Sequence, residues 1–401
     1  MTEPAIRGDA DAKAAAFERR ISEPAALYVH IPFCEQRCHY CDFNTFAVQG
    51  QPVDDYLAAL EREMETVVRE RPPGVIRSVY IGGGTPTILD AGRLSRLLIA
   101  IRRHFPDWAP DCEVTVEANP GTADPDKLAA LKEGGVNRLS FGVQAFDDAL
   151  LKAIGRIHDT ADVYRSIAWA REAGFSNLSI DLMFGLPNQT LDHVRDSVRR
   201  ALELDLPHYS LYSLKIEERT LFDAMYERNE LPLPDEDTEL DMYTHIIREL
   251  RASGYRHYEI SNFAKPGYEG RHNIAYWRNE SYYGVGAGAH GYVDGIRHVN
   301  IKGVREYIAA TSSGRPVLER HPVDDREAME DFMMVGLRLL DGVSGADFAA
   351  MFGKEMEAVF GRELAELQRR GLLEKANGRY RLTWQGLLLG NEVFGEFVGV
   401  L

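Results

Sequence analysis

Three of the four cysteines in the chain, Cys34, Cys38 and Cys41, fall within one short stretch, YVHIPFCEQRCHYCDF. In a reducing compartment such a cluster binds metal or does redox chemistry rather than forming structural disulfides. A closed structural zinc site takes four protein ligands, and a Cys3His set completed by His30 or His39 would supply them. A 4Fe–4S cluster closed by protein takes four cysteines. Position 43, where a further cysteine could stand, is Phe43. Three thiolates on such a cluster leave one iron open, and an open position is what a catalytic or ligand-binding centre needs. Cys112 stands far along the chain in the alternating run CEVTVEA and reads as a small buried hydrophobe.

Strand-like runs alternate with helical patterns around that loop. ALYVHI (26–31) reads as a strand, and 53–70 has the three- and four-residue apolar spacing of an amphipathic helix. Further strands are expected at 78–83, 113–118, 138–143, 178–184 and 208–214, each followed by a helical stretch. Asp124 is placed to cap one of these helices and Gly134 or Gly135 to end it. Six such units in series imply parallel strands with right-handed crossovers, as a complete or partial barrel or a doubly wound sheet. Polar or glycine-rich groups recur after successive strands: the cysteine loop, GGGTPT (82–87), Glu117, Gln144, Asp181, then Tyr212 and Lys215. That distribution favours a partial (β/α)6 barrel, whose loops converge at one edge. A doubly wound sheet would gather them at one switch point.

The expected organisation is an N-terminal arm over 1–25, the barrel over 26–234, a connecting segment over 235–324, and a small helical, winged-helix-like domain over 325–401. The chain has 401 residues, 46 basic and 62 acidic side chains, and a net charge of −16. Nucleic-acid partners are not expected of so acidic a chain, because backbone binding needs clustered Lys and Arg. No apolar run reaches the roughly 18–20 residues that span a bilayer. The N-terminus lacks the basic start and apolar stretch of a signal peptide. A cytoplasmic location is expected, with peripheral membrane contact left open.

The C-x3-C-x2-C spacing, with Tyr40 before the third cysteine, resembles the radical S-adenosylmethionine (SAM) superfamily. YVHIPFC, YIGGGTPT, VEANPGT, LSFGVQAF, IDLMFGLPNQT and YEISNFA together resemble its oxygen-independent coproporphyrinogen III oxidase group, over about residues 26 to 293. The resemblance implies a radical-SAM partial barrel, a 4Fe–4S cluster on Cys34, Cys38 and Cys41, and SAM chelating the open iron. One branch of the group, the HemN-type decarboxylases, usually carries a further cysteine where this chain has Phe43. The HemW-type heme chaperones resemble the chain there, in the HN-x-x-YW run (His272, Asn273, Tyr276, Trp277) and in GVGAGAHG. IEERT (216–220) departs from the group, which more often has Pro-Gly before the Thr.

The resemblance therefore implies heme binding and transfer to acceptor proteins, with radical decarboxylation of coproporphyrinogen III as the alternative. It implies SAM contacts from Tyr28, Tyr40, Gly82, Gly83, Gly84, Thr85, Glu117, Gln144, Arg156 and Asp181. Chemically, a carboxylate accepts from an amino group or ribose hydroxyls, and Arg pairs with a carboxylate in bidentate fashion. His272 is the expected heme ligand, since neutral imidazole binds heme iron, with Tyr276 and Trp277 packing on the porphyrin and His290 a weaker candidate. No protein side chain is assigned a catalytic acid or base role.

Overall fold

The computed structural model describes residues 23–401. Most of the expected N-terminal arm lies outside the described residues. The strands in chain order are β1 (Ala26–Ile31), the short β2 (Phe33–Cys34) and β3 (Phe46–Ala47), then β4 (Ile76–Gly83), β5 (Trp108–Ala118), β6 (Arg138–Gln144), β7 (Asn177–Phe184) and β8 (His208–Ser213). They continue with β9 (Arg256–Glu259), β10 (Asn262–Ala264), β11 (Tyr282–Val285), β12 (His290–Val293), β13 (Ile296–Asn300) and β14 (Val317–Pro322). One twelve-stranded sheet runs β14-β13-β12-β11-β1-β4-β5-β6-β7-β8-β10-β9. The six expected strands, β1 and β4 to β8, pair in parallel and in chain order.

The segment 235–324, expected to connect, supplies β9 to β14 to the same sheet. β11 pairs with β1 in parallel, and β12, β13 and β14 follow it antiparallel. β10 and β9 extend the other edge beyond β8 in antiparallel fashion. The sheet's outermost strands, β14 and β9, have one neighbour each, so it stays open.

Alternation along each strand sorts chemistry by face. Leu27, Val29 and Ile31 of β1, Val79 and Ile81 of β4, and Val114 and Val116 of β5 share one apolar core with Leu60 and Met64 of the helix Val53–Glu70 and Leu97 and Ile101 of the helix Ala91–His104. Each such side chain contributes roughly 1.5–3 kcal/mol by leaving water. The intervening residues are polar. Tyr28 stands opposite Tyr80, Tyr80 opposite Thr115, and Thr115 opposite Arg138. Glu117 stands opposite Ser140, and Asp181 opposite Ser210. A one-residue slip of any of these strands would drive its apolar set inward and its polar set into the helices, so the register is strongly specified.

Local signals account for the crossovers. Asp90, Asp124, Asp147, Asp159 and Thr190 each accept an N-cap hydrogen bond, so each helix starts at a fixed distance from its strand. The helix capped by Asp124 ends at Gly134, as its sequence implies. The tail has the helices Asp325–Gly336, Gly345–Phe352 and Met356–Arg369, and two short last ones, Trp384–Leu388 and Gly390–Gly395. They pack with a small sheet of β15 (Val343–Ser344), β16 (Leu373–Ala376) and β17 (Arg379–Leu382), ordered β15-β17-β16. Helix, strand, two helices and a β hairpin is a winged-helix order. Phe348, Phe360 and Phe397 are fully buried there, in edge-on contact.

Candidate cluster and cofactor site

The cysteine loop leaves β1 at the carboxyl edge of the parallel strands. β2 and β3 pair in parallel and close the loop between Cys34 and Ala47. His39 N–H donates to the Ile154 carbonyl at 3.1 Å, and Gln36 Nε2 to the Gly155 carbonyl at 3.2 Å. The loop is thereby tied to the turn after the helix Asp148–Ala153. All four cysteines carry free thiols. Cys112 is buried near the amino end of β5, one residue before Glu113 and on the far side of the barrel from Glu117. It takes no part in the cysteine loop.

The two histidines that could complete a zinc site are turned elsewhere. His39 Nδ1 meets the Ala153 carbonyl at 3.0 Å. His30 Nδ1 meets Tyr28 Oη, and its Nε2 meets the Asn44 carbonyl, both at 2.9 Å. Among the described residues no three His, Cys, Asp or Glu side chains are grouped to hold one metal ion. A cluster has a different requirement, since each thiolate binds its own iron. Burial pushes the Cys34 thiol up to about 11, aided by Cys41 and Cys38 and opposed by Thr85. Burial also pushes Cys41 up, with Cys38 adding to it. Three neighbouring cysteines, two of them disfavoured as thiolates by burial, fit a polynuclear cation that would hold all three as thiolates.

Hydrogen bonds join two of the sulfurs through three strand ends. Thr85 Oγ1 donates to Cys34 Sγ at 3.5 Å and accepts from Asn119 Nδ2 at 2.8 Å. Asn119 Oδ1 accepts from Arg156 Nη2 at 2.6 Å. Arg156 Nη1 reaches Cys38 Sγ at 3.5 Å, and Nη2 also bonds the Gly142 carbonyl. Asn119 is the joint of this arch and was not among the expected site residues. The signal was present, since VEANP places a second polar side chain two residues beyond Glu117.

The glycine loop has a packing reason for each glycine. A Cβ on Gly82 would lie 2.6 Å from Glu117 Oε2, and one on Gly84 would lie 2.6 Å from the Phe33 carbonyl. Gly83 has φ +110 and lies against the His30 ring. The Gly83, Gly84 and Thr85 amides donate to Glu117, the Ile31 carbonyl and the Phe33 carbonyl at 3.0, 2.9 and 2.8 Å. The loop's N–H groups are therefore committed within the protein. Only its carbonyls are suited to meet an amino donor.

Two carboxylates face the barrel interior. Glu117 accepts from Tyr80 Oη at 2.6 Å and from the Gly83 amide. Burial lifts it to about 7, with Asp181 adding and Tyr80 opposing. Burial raises Asp181 too, against Ser210, Arg138 and Ser140. A cationic amino group would lower both values, so the pair suits a ligand carrying one. Gln144 has φ 68, a left-handed conformation at the end of β6 where its pairing with β7 shifts. Strain of this kind concentrates at ligand sites. Tyr40 sits beside Cys38 and Arg156, and Tyr28 stacks on Tyr80 with ring centroids 6.2 Å apart.

His272, the expected heme ligand, lies in the barrel interior beside Ser78 and Tyr276. It is 1% exposed, with Nδ1 3.0 Å from Ser78 Oγ and Nε2 2.8 Å from Tyr276 Oη. Burial pushes it down to about 3, so it stays neutral. Both ring nitrogens are engaged inside the protein, and an iron would have to displace one of those partners. Trp277 carries the Arg338 guanidinium on its face, 4.4 Å from the ring centroid, where a porphyrin was expected. Tyr276 packs edge-on against His272 and Tyr282. His290 is exposed at the start of β12.

Comparison with known proteins matches this arrangement. A family model described as "Radical SAM superfamily" matches residues 28–201, and one described as "HemN C-terminal domain" matches residues 323–389. The chain is 48% identical over 377 residues to heme chaperone HemW of Bacillus subtilis, covering 94% of this chain and 100% of that one. It is 37% identical over 381 residues to heme chaperone HemW of Escherichia coli, covering 94% and 98%. Among solved structures, the radical SAM enzyme coproporphyrinogen III oxidase (HemN) from Escherichia coli aligns with a TM-score of 0.83 at 25% identity, covering 98% of this chain and 94% of that one. At these identities over nearly the full length of both proteins, the chain belongs to the HemW heme chaperone family of radical SAM proteins.

Proposed function

We propose that the protein binds heme and passes it to acceptor proteins, while Cys34, Cys38 and Cys41 hold a 4Fe–4S cluster and the barrel mouth holds SAM. The observation that carries the cofactor part is the group of three free thiols at the open parallel edge, with Thr85 and Arg156 hydrogen-bonded to two of the sulfurs. The heme part is supported by full-length relatives that are heme chaperones. When bound, the cluster supplies one electron, and SAM fills the iron that the protein leaves open.

The protein's own groups bind and orient. The three thiolates fix the cluster at the mouth. Gly82, Gly83, Gly84 and Thr85 present carbonyls to the SAM amino group, and Glu117 takes that amino group or the ribose hydroxyls. Arg156 balances the sulfur charge and offers further N–H donors to the SAM carboxylate. Tyr28, Tyr40, Gln144 and Asp181 line the remaining interior. No helix among the described residues is long and apolar enough to cross a membrane.

The test is anaerobic cluster reconstitution, then hemin titration beside a coproporphyrinogen decarboxylation assay. Stoichiometric hemin binding without decarboxylation is expected. Turnover of coproporphyrinogen III would favour the decarboxylase reading, to which the likeness to HemN points. Cys38→Ala should lose cluster absorbance, and wild-type iron content in that variant would remove the three-cysteine site.

A further inference from the structure

The inference rests on the heme-binding reading and places the heme. A cavity of about 690 Å³ lies between the carboxyl ends of β7 and β8, the helix Glu236–Ala252, the turn between β9 and β10, and the last two helices. Its size suits a drug- or cofactor-sized ligand. Phe184, Leu240, Tyr243, Leu387 and Phe394 make its walls largely apolar, and Tyr212 brings it to the sheet edge that carries Asp181.

Arg338 lines this cavity and is the unusual group in it. Its guanidinium is sandwiched between Trp277 at 4.4 Å and Phe394 at 5.8 Å. Its Nε is buried without a hydrogen-bond partner. Glu259 is its acidic neighbour: burial raises that carboxyl, and the Arg338 charge opposes the rise. A half-buried guanidinium N–H without an acceptor is costly, and an anion entering the cleft would complete it. The cavity's other charges are mostly engaged. Glu239 accepts from Ser213 Oγ, Glu392 pairs with Arg370 at 2.7 Å, and Lys215 pairs with Glu217 at 2.8 Å. Glu236 sits in the first turn of its own helix, where the backbone amides favour a negative charge.

We propose that this cleft is the heme site, with a propionate on Arg338 and the macrocycle against Phe394, Leu387 and Tyr243. The ligand chemistry is an apolar plate with an anionic edge, and the cleft offers apolar walls and a guanidinium with an unpartnered Nε. The HN-x-x-YW run then acts at one remove. His272 anchors its helix in the barrel, and Trp277 holds Arg338 in place. Trp277 is thus a positioning residue rather than a porphyrin contact.

The experiment titrates the cluster-reconstituted full chain with hemin and with hemin dimethyl ester, which lacks the free carboxylates. Arg338→Met should weaken hemin binding about tenfold or more, the loss of a charge-assisted pair, and leave the diester unchanged. Arg338→Lys should restore part of the loss. Leu240→Trp, at a 43% exposed wall position that tolerates bulk, should weaken both ligands by filling the cleft. Cluster absorbance and SAM binding should match wild type in every variant. Wild-type hemin affinity in both Arg338→Met and Leu240→Trp overturns the site while leaving the heme reading intact. Failure of the wild-type chain to bind hemin overturns the reading and the site together. If Arg338→Met melts early, the Leu240→Trp result decides.

Discussion

Gly84 is where the glycine turn meets the start of the cysteine loop, and Gly84→Ala tests whether that contact sets the loop. An added Cβ would lie 2.6 Å from the Phe33 carbonyl oxygen and 2.9 Å from that of Ile31. Both neighbours are backbone, so no side chain can swing away. Phe33 is covalently next to Cys34, and opening the contact to ordinary packing distance moves that peptide by roughly half an ångström or more. The same motion stretches the hydrogen bonds from the Gly84 amide to Ile31 and from the Thr85 amide to Phe33, now 2.9 and 2.8 Å. Overpacking costs about 1–3 kcal/mol, and two strained hydrogen bonds add about 1 kcal/mol each. The expected result is a lower melting temperature and a reduced iron content after reconstitution. Gly50→Ala is the control, because nothing lies within 4 Å of a Cβ there and its φ of +72 carries only the backbone penalty. The reasoning fails if Gly84→Ala melts and assembles its cluster as wild type does.

Asn119→Leu removes the joint between Thr85 and Arg156, so cluster reduction potential should shift by electron paramagnetic resonance titration while Cys34, Cys38 and Cys41 still bind iron; an unchanged potential would show that the arch does not act on the sulfurs. Burial lifts Glu63 from 4.5 to about 7, against donors from Tyr307, Gly286 and Asn300. The folded state therefore holds that proton more tightly than the unfolded chain, and this stabilisation is present below 4.5 and lost as pH rises through about 7. The gap corresponds to about 3 kcal/mol, so Glu63→Gln should flatten the decline of urea-unfolding stability across that window, and parallel pH profiles would contradict it. His272→Phe leaves Ser78 and Tyr276 without a buried partner and should cost about 2 kcal/mol of stability; a neutral effect would mean that the histidine is not structural.

Much of the site could be read before any coordinates. The residues that follow the strands, from the cysteine loop to Asp181, do gather at one edge, because parallel strands all end on the same side. What the pattern hid is the state of each group once there. His272 and Arg156 are both basic side chains next to aromatic or glycine-rich runs. One is sealed with its two nitrogens satisfied, and the other reaches a cysteine sulfur. The strands β9 to β14 are short and irregularly spaced, so their membership in the main sheet rests on pairings with residues far away in sequence.

The sequence alone determined the six strand–helix units, the three-plus-one division of the cysteines and the family, since periodicity, spacing and motif are local properties of the chain. Tertiary structure alone decided that Asn119 joins Thr85 to Arg156, that both ring nitrogens of His272 are engaged, and that Arg338 stacks on Trp277 and Phe394 with its Nε unpartnered. Those outcomes depend on which groups from distant segments share a buried volume. Whether a polar group there finds a partner is a matter of a few ångströms, which no local pattern encodes.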